Sequence, residues 1–356
     1  MTPLARLLLR RIALAGPMTV AQFMAEALGH PTHGYYQRRD PLGRAGDFIT
    51  APEISQMFGE LIGLWCVELW HAMGRPDPCH LVELGPGRGT LMADALRAAR
   101  VRPAFVAAIR VHLVETSPYL RERQAGALQA HRPQWHASLA EVPEGPLLLV
   151  ANEFFDALPV NQFELTAEGW RERVVASHGD GLVFGWVPPG PSFGLLTPRQ
   201  RLGPRAEVCP AALQLAGEIG GRLARGSGAA LIIDYGTSRS LPGESLQALR
   251  RHQPVDPLAE PGEADLSAHV DFAALSQAAA EAGAKTYGPL PQGEFLTRLG
   301  LAARAESLIA RATPAQARDI ETARRRLLDA REMGNLFKAL TLTAPGLPTP
   351  PGFADA

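Results

Sequence analysis

Residues 78–97 read Pro-Cys-His-Leu-Val-Glu-Leu-Gly-Pro-Gly-Arg-Gly-Thr-Leu-Met-Ala-Asp-Ala-Leu-Arg. The pattern predicts a short buried strand over residues 80–84, a glycine turn and a helix that begins near residue 90. Gly85, Gly87 and Gly89 carry no Cβ, so the backbone of the turn can approach a ligand closely. The free N–H groups at the start of the helix would face the same spot. This stretch therefore predicts a ligand cradle.

The spacing of these glycines separates three classes of cofactor site. A phosphate-binding P-loop ends in Gly-Lys-Ser or Gly-Lys-Thr, and the absence of lysine from this turn excludes that class. The dinucleotide fingerprint is Gly-x-Gly-x-x-Gly, whereas the third glycine here comes one residue early and Thr90 takes the expected place. The order Glu-x-Gly-x-Gly-x-Gly, with Glu83 on the strand, is typical of the first motif of S-adenosylmethionine-dependent methyltransferases. Taken alone, the turn is also compatible with a plain connection between a strand and a helix.

A second strand is predicted over residues 109–114, which alternate as Ile-Arg-Val-His-Leu-Val and are followed by Glu115. In open α/β sheets, ligands bind outside the carboxyl ends of the strands, where an acidic residue accepts hydrogen bonds from ribose hydroxyls. The alternative is a solvated carboxylate ahead of a helix with Ser117 as its N-cap and Pro118 at its first position. The glycine turn upstream favours the ribose role for Glu115.

The composition of the 356 residues is that of a folded protein, with 46% hydrophobic and 20% charged residues. A formal charge of −1 gives no electrostatic footprint for nucleic acid, so we expect no nucleic-acid partner. Cys66, Cys79 and Cys209 have no pairing or metal-ligand spacing, which predicts a reducing, cytoplasmic location and no metal site. Two arginines interrupt the apolar N-terminus, which favours an amphipathic helix there, and no apolar run is long enough for a membrane span.

Patterns along the rest of the chain predict a large α/β domain with two additions. About 75 residues precede the glycine turn and are expected to form a separate layer, which ends in an apolar helix over residues 56–71 whose tryptophans we place in the core. Residues 160–186 alternate around glycine turns and predict a β-meander, followed by a polar linker to residue 207. The other predicted elements are helices over residues 117–128, 211–225, 271–281, 294–311 and 314–331, strands over 133–139, 147–151 and 229–236, closing strands over 246–254 and 286–290, and a loose tail over 345–356.

The fourth predicted strand runs straight into Asn152-Glu-Phe-Phe-Asp156, where methyltransferases keep their acceptor chemistry. Amino-methyltransferases of nucleic-acid bases have Asn/Asp-Pro-Pro-Tyr/Phe at this place, and Glu153 and Phe154 replace both prolines, which argues against base methylation. Carboxylates at 153 and 156 suit a cationic acceptor, because arginine stays protonated in water and binds a carboxylate through its planar fork. They would also help a nitrogen to lose its proton. The alternative is that both residues cap a helix after the strand, since both precede Ala-Leu-Pro.

Four motifs of the chain resemble the successive motifs of the MidA family. They are Gly-Asp-Phe-Ile-Thr-Ala-Pro-Glu-Ile-Ser-Gln-Met-Phe-Gly-Glu-Leu-Ile at 46–62, Glu-Leu-Gly-Pro-Gly-Arg-Gly-Thr-Leu at 83–91, Asn-Glu-Phe-Phe-Asp-Ala-Leu-Pro-Val at 152–160 and Asp-Leu-Ser-Ala-His-Val-Asp-Phe at 265–272. The matches cover most of the chain and follow the order of the family. That family contains the mitochondrial complex I assembly factor that methylates arginine, and its bacterial relatives.

The resemblance implies a Rossmann-like class I methyltransferase core over residues 76–345, with an N-terminal helical and loop cap (1–75), a β-meander insertion (160–205) and a tail (346–356). It implies methyl transfer from S-adenosylmethionine to an arginine of a protein substrate, in the family a respiratory complex I subunit during assembly. Together with the patterns above, it gives an expected cofactor site of Glu83, Gly85, Gly87, Gly89, Glu115, Ser138 and Thr50. The expected catalytic residues are Glu153, Asp156 and Asn152, and the expected substrate-binding residues are Asp47, Glu53 and Tyr235.

Other functions remain open on the sequence. One is an assembly chaperone that binds S-adenosylmethionine without transferring its methyl group, and another is a small-molecule methyltransferase for which the N-terminal layer is the lid. A nicotinamide-dependent oxidoreductase is disfavoured by the early third glycine. The resemblance implies a mitochondrial matrix location for eukaryotic relatives, while for this chain we expect the cytoplasm.

Overall fold

The computed structural model describes residues 1–38, 43 and 49–353. The helices in this part of the chain are α1 Pro3–Ala15, α2 Val20–Gly29, α3 Tyr35–Arg38, α4 Ala51–Ile54, α5 Gln56–Ala72, α6 Thr90–Ala99, α7 Pro103–Ala108, α8 Pro118–Leu128, α9 Pro210–Arg225, α10 Phe272–Glu281, α11 Gln292–Arg298, α12 Leu301–Ile309, α13 Pro314–Leu328 and α14 Met333–Leu336. The strands are β1 Met18–Thr19, β2 Cys79–Leu84, β3 Ile109–Val114, β4 Gln134–His136, β5 Leu147–Asn152, β6 Asn161–Thr166, β7 Gly169–His178, β8 Gly181–Val187, β9 Arg205–Val208, β10 Gly228–Thr237, β11 Gln247–Arg250, β12 Gln253–Pro254, β13 Asp265–Ser267, β14 Val270–Asp271, β15 Lys285–Pro291 and β16 Phe337–Thr343. None of the helices just named is long and apolar enough to cross a membrane.

The central sheet has the strand order β15-β16-β10-β5-β2-β3-β4, and β14 pairs with the end of β10. Strands β10, β5, β2, β3 and β4 run parallel, and β16 and β15 close the sheet in antiparallel orientation. Leu84 pairs with Val114 on one side and with Ala151 on the other, so the segments that follow β2, β3 and β5 meet at one edge. The Rossmann-like class I architecture expected from the sequence is thereby confirmed.

The alternation of side chains in the buried strands supplies a core on each face of this sheet. Leu148 and Val150 of β5 pack with α5, α6 and the C-terminal helices, whereas Leu147 and Leu149 pack with α9 and α10. Each fully buried leucine stabilises the fold by about 1.5–3 kcal/mol relative to an exposed one. The sheet is therefore held from both sides, which leaves its carboxyl edge free to form a site.

One element of the sheet differs from the sequence prediction. The strand next to β10 is β16, whereas residues 246–254, predicted to close the sheet, form β11 and β12 in a small separate sheet with β13. The second closing strand was predicted correctly, since β15 covers residues 286–290. The chain makes a helical excursion, α11 to α14, between β15 and β16, and periodicity within a segment does not reveal such a distant partner.

The N-terminal layer and the predicted meander share a core. β6, β7 and β8 form the antiparallel meander as expected, β1 joins the edge of β7, and β9 within the predicted linker pairs with β6. Leu8 of α1 and Phe23 of α2 pack with Val160 and Val175 of the meander. The cap and the insertion therefore form one structural unit beside the central sheet, and the domain boundaries predicted above stay a prediction.

Helix α5 packs in the core of the central domain. Trp65 and Trp70 are buried, as expected, and a Cβ on Gly63 would lie 2.3 Å from the carbonyl oxygen of Ala95, so α5 and α6 touch through their backbones. The Nε1 of Trp65 donates a hydrogen bond to the carbonyl oxygen of Pro351 at 3.2 Å. The described part of the C-terminal segment, expected as a loose tail, is thus attached to this helix.

Candidate active site

A cavity of about 360 Å³ lies at the carboxyl edge of the central sheet. Its walls come from the segments that follow β2, β3 and β5, from α4 and from the C-terminal half of α2. The expected site residues Glu83, Gly85, Gly87, Glu115, Asn152, Glu153, Thr50 and Glu53 all line it. The structure therefore brings together residues that are up to 103 positions apart in the sequence, from Thr50 to Glu153.

The glycine turn adopts backbone angles that side-chain-bearing residues disfavour. The φ angles are +61° at Gly85, +54° at Gly87 and +82° at Gly89, and α6 begins directly after the turn. A Cβ on Gly85 would lie 2.6 Å from the ring of Phe154, which follows β5. The turn and the segment after β5 are therefore in direct contact, and a side chain at residue 85 would push them apart.

Glu83 and Asn152 each present a buried oxygen without a hydrogen-bond partner in the described residues, Oε2 and Oδ1 respectively. Both residues line the cavity. Burial raises the pKa of the Glu83 carboxyl to about 8. Two orphaned acceptors at one end of a cavity fit a ligand that brings donors or positive charge, because an unpaired buried acceptor costs about 1–3 kcal/mol.

Glu115 is held by the start of α8 and by Gln124. Its Oε1 accepts from the N–H of Ser117 at 2.8 Å and its Oε2 from Nε2 of Gln124 at 3.3 Å. The same Nε2 donates to the carbonyl oxygen of Gly87 at 2.7 Å, and Nε1 of Trp135 donates to Oε1 of Gln124 at 2.8 Å. Gln124 thus ties the glycine turn to the Glu115 carboxylate, whose expected ribose contact stays a prediction. A glutamine on the inner face of a helix was the available sequence signal, and it was missed.

Helix α4 covers the glycine turn. Glu53 accepts from Oγ1 of Thr90 at 2.5 Å and forms an ion pair with Arg88 at 3.1 Å. Both partners belong to the turn and its helix, so Glu53 locks the cover in place, and its expected substrate contact stays a prediction. Thr50 is the N-cap of α4 and lines the cavity. Asp47, also expected at the substrate, lies outside the described residues.

Glu153 projects from the end of β5 with a left-handed backbone, φ +53°, although it is not glycine. Its Oε1 accepts from the N–H of Ala51 at 2.8 Å and from Nδ2 of Asn152 at 3.1 Å. Burial raises the pKa of its carboxyl to about 7. Such backbone angles cost about 1–3 kcal/mol in a residue with a side chain and cluster at functional sites. The strained backbone makes Glu153 a candidate for a functional role.

The structure separates four other expected residues from the cavity wall. Asp156 faces a buried group that includes Asp234 and Asp265, and burial followed by these charges raises its pKa well above the ordinary value. The hydroxyl of Tyr235 accepts from Gln247 at 3.2 Å instead of lining the acceptor side. Ser138 is exposed, and its neighbour Ala137 lines the cavity in its place; Gly89 caps α6 behind the turn. Successive side chains of a strand point to opposite faces of the sheet, so a residue next to a cavity-lining one points away from the cavity.

The fold and the cavity define a class I methyltransferase, with Glu83 near the end of β2, Glu115 directly after β3, a glycine turn between β2 and α6, and Glu153 directly after β5. The family model for S-adenosyl-L-methionine-dependent methyltransferases matches residues 61–290. The chain belongs to this family. It is an enzyme that uses S-adenosyl-L-methionine as its methyl donor.

Relatives of known name and structure cover almost the whole chain. It is 38% identical to the Mus musculus protein named protein arginine methyltransferase NDUFAF7, mitochondrial, over 96% of this chain and 84% of that protein. The Homo sapiens protein of the same name is 36% identical over 96% of this chain and 83% of its own length. A Burkholderia thailandensis protein crystallised with S-adenosylhomocysteine has a TM-score of 0.80 at 28% identity, covering 99% of this chain and 93% of that chain.

Proposed function

We propose that the chain methylates an arginine side chain of a protein, with S-adenosylmethionine as the donor. The observation that carries the proposal is Glu153, a carboxylate held at the cavity wall by the Ala51 N–H and the Asn152 amide. A guanidinium is the cation that such a carboxylate recognises best. The names of the relatives, protein arginine methyltransferase, support the same acceptor.

The cofactor half of the proposal rests on Glu83, Gly85, Gly87 and Glu115. The unpaired Oε2 of Glu83 is suited to the ammonium of the methionyl group, and Glu115 to the ribose hydroxyls. When bound, S-adenosylmethionine supplies a methyl group made electrophilic by its sulfonium. Gly85 and Gly87 line the cavity with left-handed backbone angles, which lets the backbone of the turn approach the cofactor closely.

In the acceptor half, the Glu153 carboxylate orients the guanidinium and takes the proton that its nitrogen loses as the new bond to carbon forms. A pKa near 7 suits that exchange, because the group can hold a proton and release it to water at neutral pH. The unpaired Asn152 Oδ1 is a second acceptor for a guanidinium N–H. Asp156 is proposed to support this segment from behind and not to touch the acceptor, because burial and its acidic neighbours raise its pKa and favour the neutral form of its carboxyl.

The finer assignments are also proposals. The resemblance of the four motifs supports a respiratory complex I subunit as the protein substrate. The three free cysteines support a cytoplasmic location for this chain. The relatives named above are mitochondrial proteins by name.

The test is transfer of label from isotopically labelled S-adenosylmethionine to the purified complex I subunit and to a cell extract, with the labelled residue identified by mass spectrometry. Glu153→Gln is expected to lose at least about a hundredfold in rate while still binding the cofactor. Glu306→Gln, on the exposed face of α12, is the matched control and should be unaffected.

Gly87→Val is expected to abolish cofactor binding in calorimetry. Gly179→Val is its control, because Gly179 has nearly the same φ, +56° against +54°, in a turn with no atom within 4 Å of an added Cβ. Cofactor binding without label on any protein would favour the assembly chaperone, and label only on small molecules would favour a small-molecule methyltransferase.

A further inference from the structure

The segment that carries Glu153 is wrapped around the end of β10. Strand β10 pairs with β5 up to the pair Ile233–Asn152, and the N–H of Glu153 donates to the carbonyl oxygen of Ile233 at 2.9 Å. The next residue of β10 is Asp234, which has 0% of its surface exposed. A carboxylate without contact to solvent at the end of a central strand must find its donors within the protein.

Asp234 finds its donors in the backbone after Glu153. Its Oδ2 accepts from the N–H groups of three consecutive residues, Phe154 at 3.1 Å, Phe155 at 2.9 Å and Asp156 at 3.2 Å. Its Oδ1 accepts from the N–H of Tyr235 at 2.9 Å. Two adjacent residues of β10 thus satisfy the N–H groups of all four positions from 153 to 156.

We infer that Asp234 is a positioning residue for the acceptor site, which holds the segment after β5 so that Glu153 keeps its left-handed backbone and directs its carboxylate into the cavity. The inference deepens the proposed function and rests on it for the role of Glu153. Asp234 itself does not line the cavity, so it acts through the segment and not on the substrate.

The geometry explains why a carboxylate is needed at this position. Three consecutive N–H groups converge on one oxygen only when the backbone curls tightly around it, and that curl begins at the left-handed Glu153. An asparagine keeps the shape but has only one oxygen, so either the curled segment or Tyr235 N–H would face an NH₂ group. The buried donors left unpaired would then favour a relaxed segment.

The other side of the segment is fixed by the glycine turn. The ring of Phe154 occupies the space in which a Cβ on Gly85 would lie. The segment is therefore held between the cofactor turn and Asp234, and a shift of its backbone would move Glu153 relative to the cofactor. Misplacement of a catalytic group by about 1 Å costs about a hundredfold in rate.

Hydrogen exchange of the Phe154–Asp156 amides, read by NMR, tests the contact without any substrate. In the wild type these three amides should exchange as slowly as those of β10, although they lie outside regular strands. In Asp234→Asn they should exchange at least about tenfold faster, while the amides of β2 and β3 stay protected. Equal exchange rates in both proteins would overturn the inference. If the variant does not fold, the wild type alone decides, because fast exchange of these three amides in the wild type would also overturn it.

Kinetics separate positioning from a merely structural role. We expect Asp234→Asn to lower kcat by about ten- to a hundredfold and to leave the calorimetric affinity for S-adenosylmethionine within about threefold. Thr343→Val is the control, since its hydroxyl is buried on the neighbouring β16 without a partner in the described residues and touches no part of the segment. An unchanged kcat in a variant with fast-exchanging amides would show that Asp234 only stabilises the fold.

A crystal structure of the variant makes the two proposals independent. If the wild type transfers no methyl group to arginine, the proposed function fails. The φ of Glu153 in Asp234→Asn still decides the positioning role, because a backbone that stays left-handed contradicts it.

Discussion

Glu153 combines three features that each cost free energy: burial of a carboxylate, a left-handed backbone and proximity to other buried acids. Two N–H bonds to one of its oxygens offset part of that cost and leave the other oxygen for a ligand. Residues that oppose local stability in this way are typically kept for function. The residue scale therefore yields two predictions, one on rate and one on stability.

The first concerns the pH dependence of methyl transfer. The proposed role needs the Glu153 carboxylate ionised before the acceptor binds, and its pKa lies at about 7. We expect kcat/KM for an arginine acceptor to rise with pH up to about 7 and then to level off. A rate profile from pH 5.5 to 8.5 measures this, with Glu306→Gln as the control. A profile that is flat across pH 7 in the wild type would contradict it.

The second concerns stability. The folded-state pKa of Glu153 is raised above the unfolded value of about 4.3. The contribution of the protonated Glu153 carboxyl to the free energy of unfolding is therefore fully present below about pH 4.3 and is lost as pH rises through about 7. Glu153→Gln removes this loss, so the stability of the variant relative to the wild type should be higher at pH 8 than at pH 4 by on the order of 3 kcal/mol. Urea unfolding at both pH values is the measurement, and an equal difference at both would contradict the assignment.

At the scale of elements, three neighbouring strands are linked by a chain of histidines. His80 Nδ1 and His112 Nε2 are 2.9 Å apart, and His112 Nδ1 and His136 Nε2 are 3.0 Å apart, across β2, β3 and β4. Burial lowers the pKa of all three, and that of His112 to about 4. A neutral ring can donate through one nitrogen and accept through the other, so protonation of His112 breaks one link.

The three linked histidines predict that the protein loses stability in acid. The folded pKa of His112 is below its unfolded value of about 6.5, so the unfolded state binds more protons between pH 6.5 and 4. The contribution of neutral His112 to the free energy of unfolding is therefore complete above pH 6.5 and falls by on the order of 2 kcal/mol by pH 5. In urea unfolding, His112→Phe should show a shallower pH slope than the wild type. His178→Phe, at an exposed position on β7, should keep the wild-type slope; equal slopes for wild type and His112→Phe would refute the prediction.

Local signals in the sequence were sufficient for some elements and insufficient for others. The strand, glycine turn and helix around Gly85 are encoded within twenty residues, and β5 is an uninterrupted apolar run, so both were predicted. β16 was missed because its partner β10 lies about a hundred residues earlier in the chain. Gln124 and Asp234 act on backbone groups distant in the sequence, and a polar residue within a helix or strand does not reveal which distant groups it meets.

At the scale of the whole molecule, the cap and the meander share a core that places α2 at the wall of the cavity. Met24, Ala25, Leu28 and Gly29 of this helix line the cavity that Glu153 also lines. Ala25 is exposed, and Met24 is buried. We propose that the acceptor enters past Ala25, because a small exposed side chain beside apolar lining residues suits the methylene chain of an arginine inserted from a protein surface.

A large side chain at Ala25 should therefore block the acceptor and spare the cofactor. We expect Ala25→Trp to lower kcat/KM for the protein acceptor by at least about tenfold, with the affinity for S-adenosylmethionine within about threefold of the wild type, because the proposed cofactor residues belong to the ends of β2 and β3 and not to α2. Leu14→Trp on α1 is the control, since Leu14 is 90% exposed and belongs to the same cap without lining the cavity. Calorimetry and label transfer measure the two quantities. If Ala25→Trp weakens cofactor binding as much as transfer, α2 covers the cofactor and the acceptor enters elsewhere.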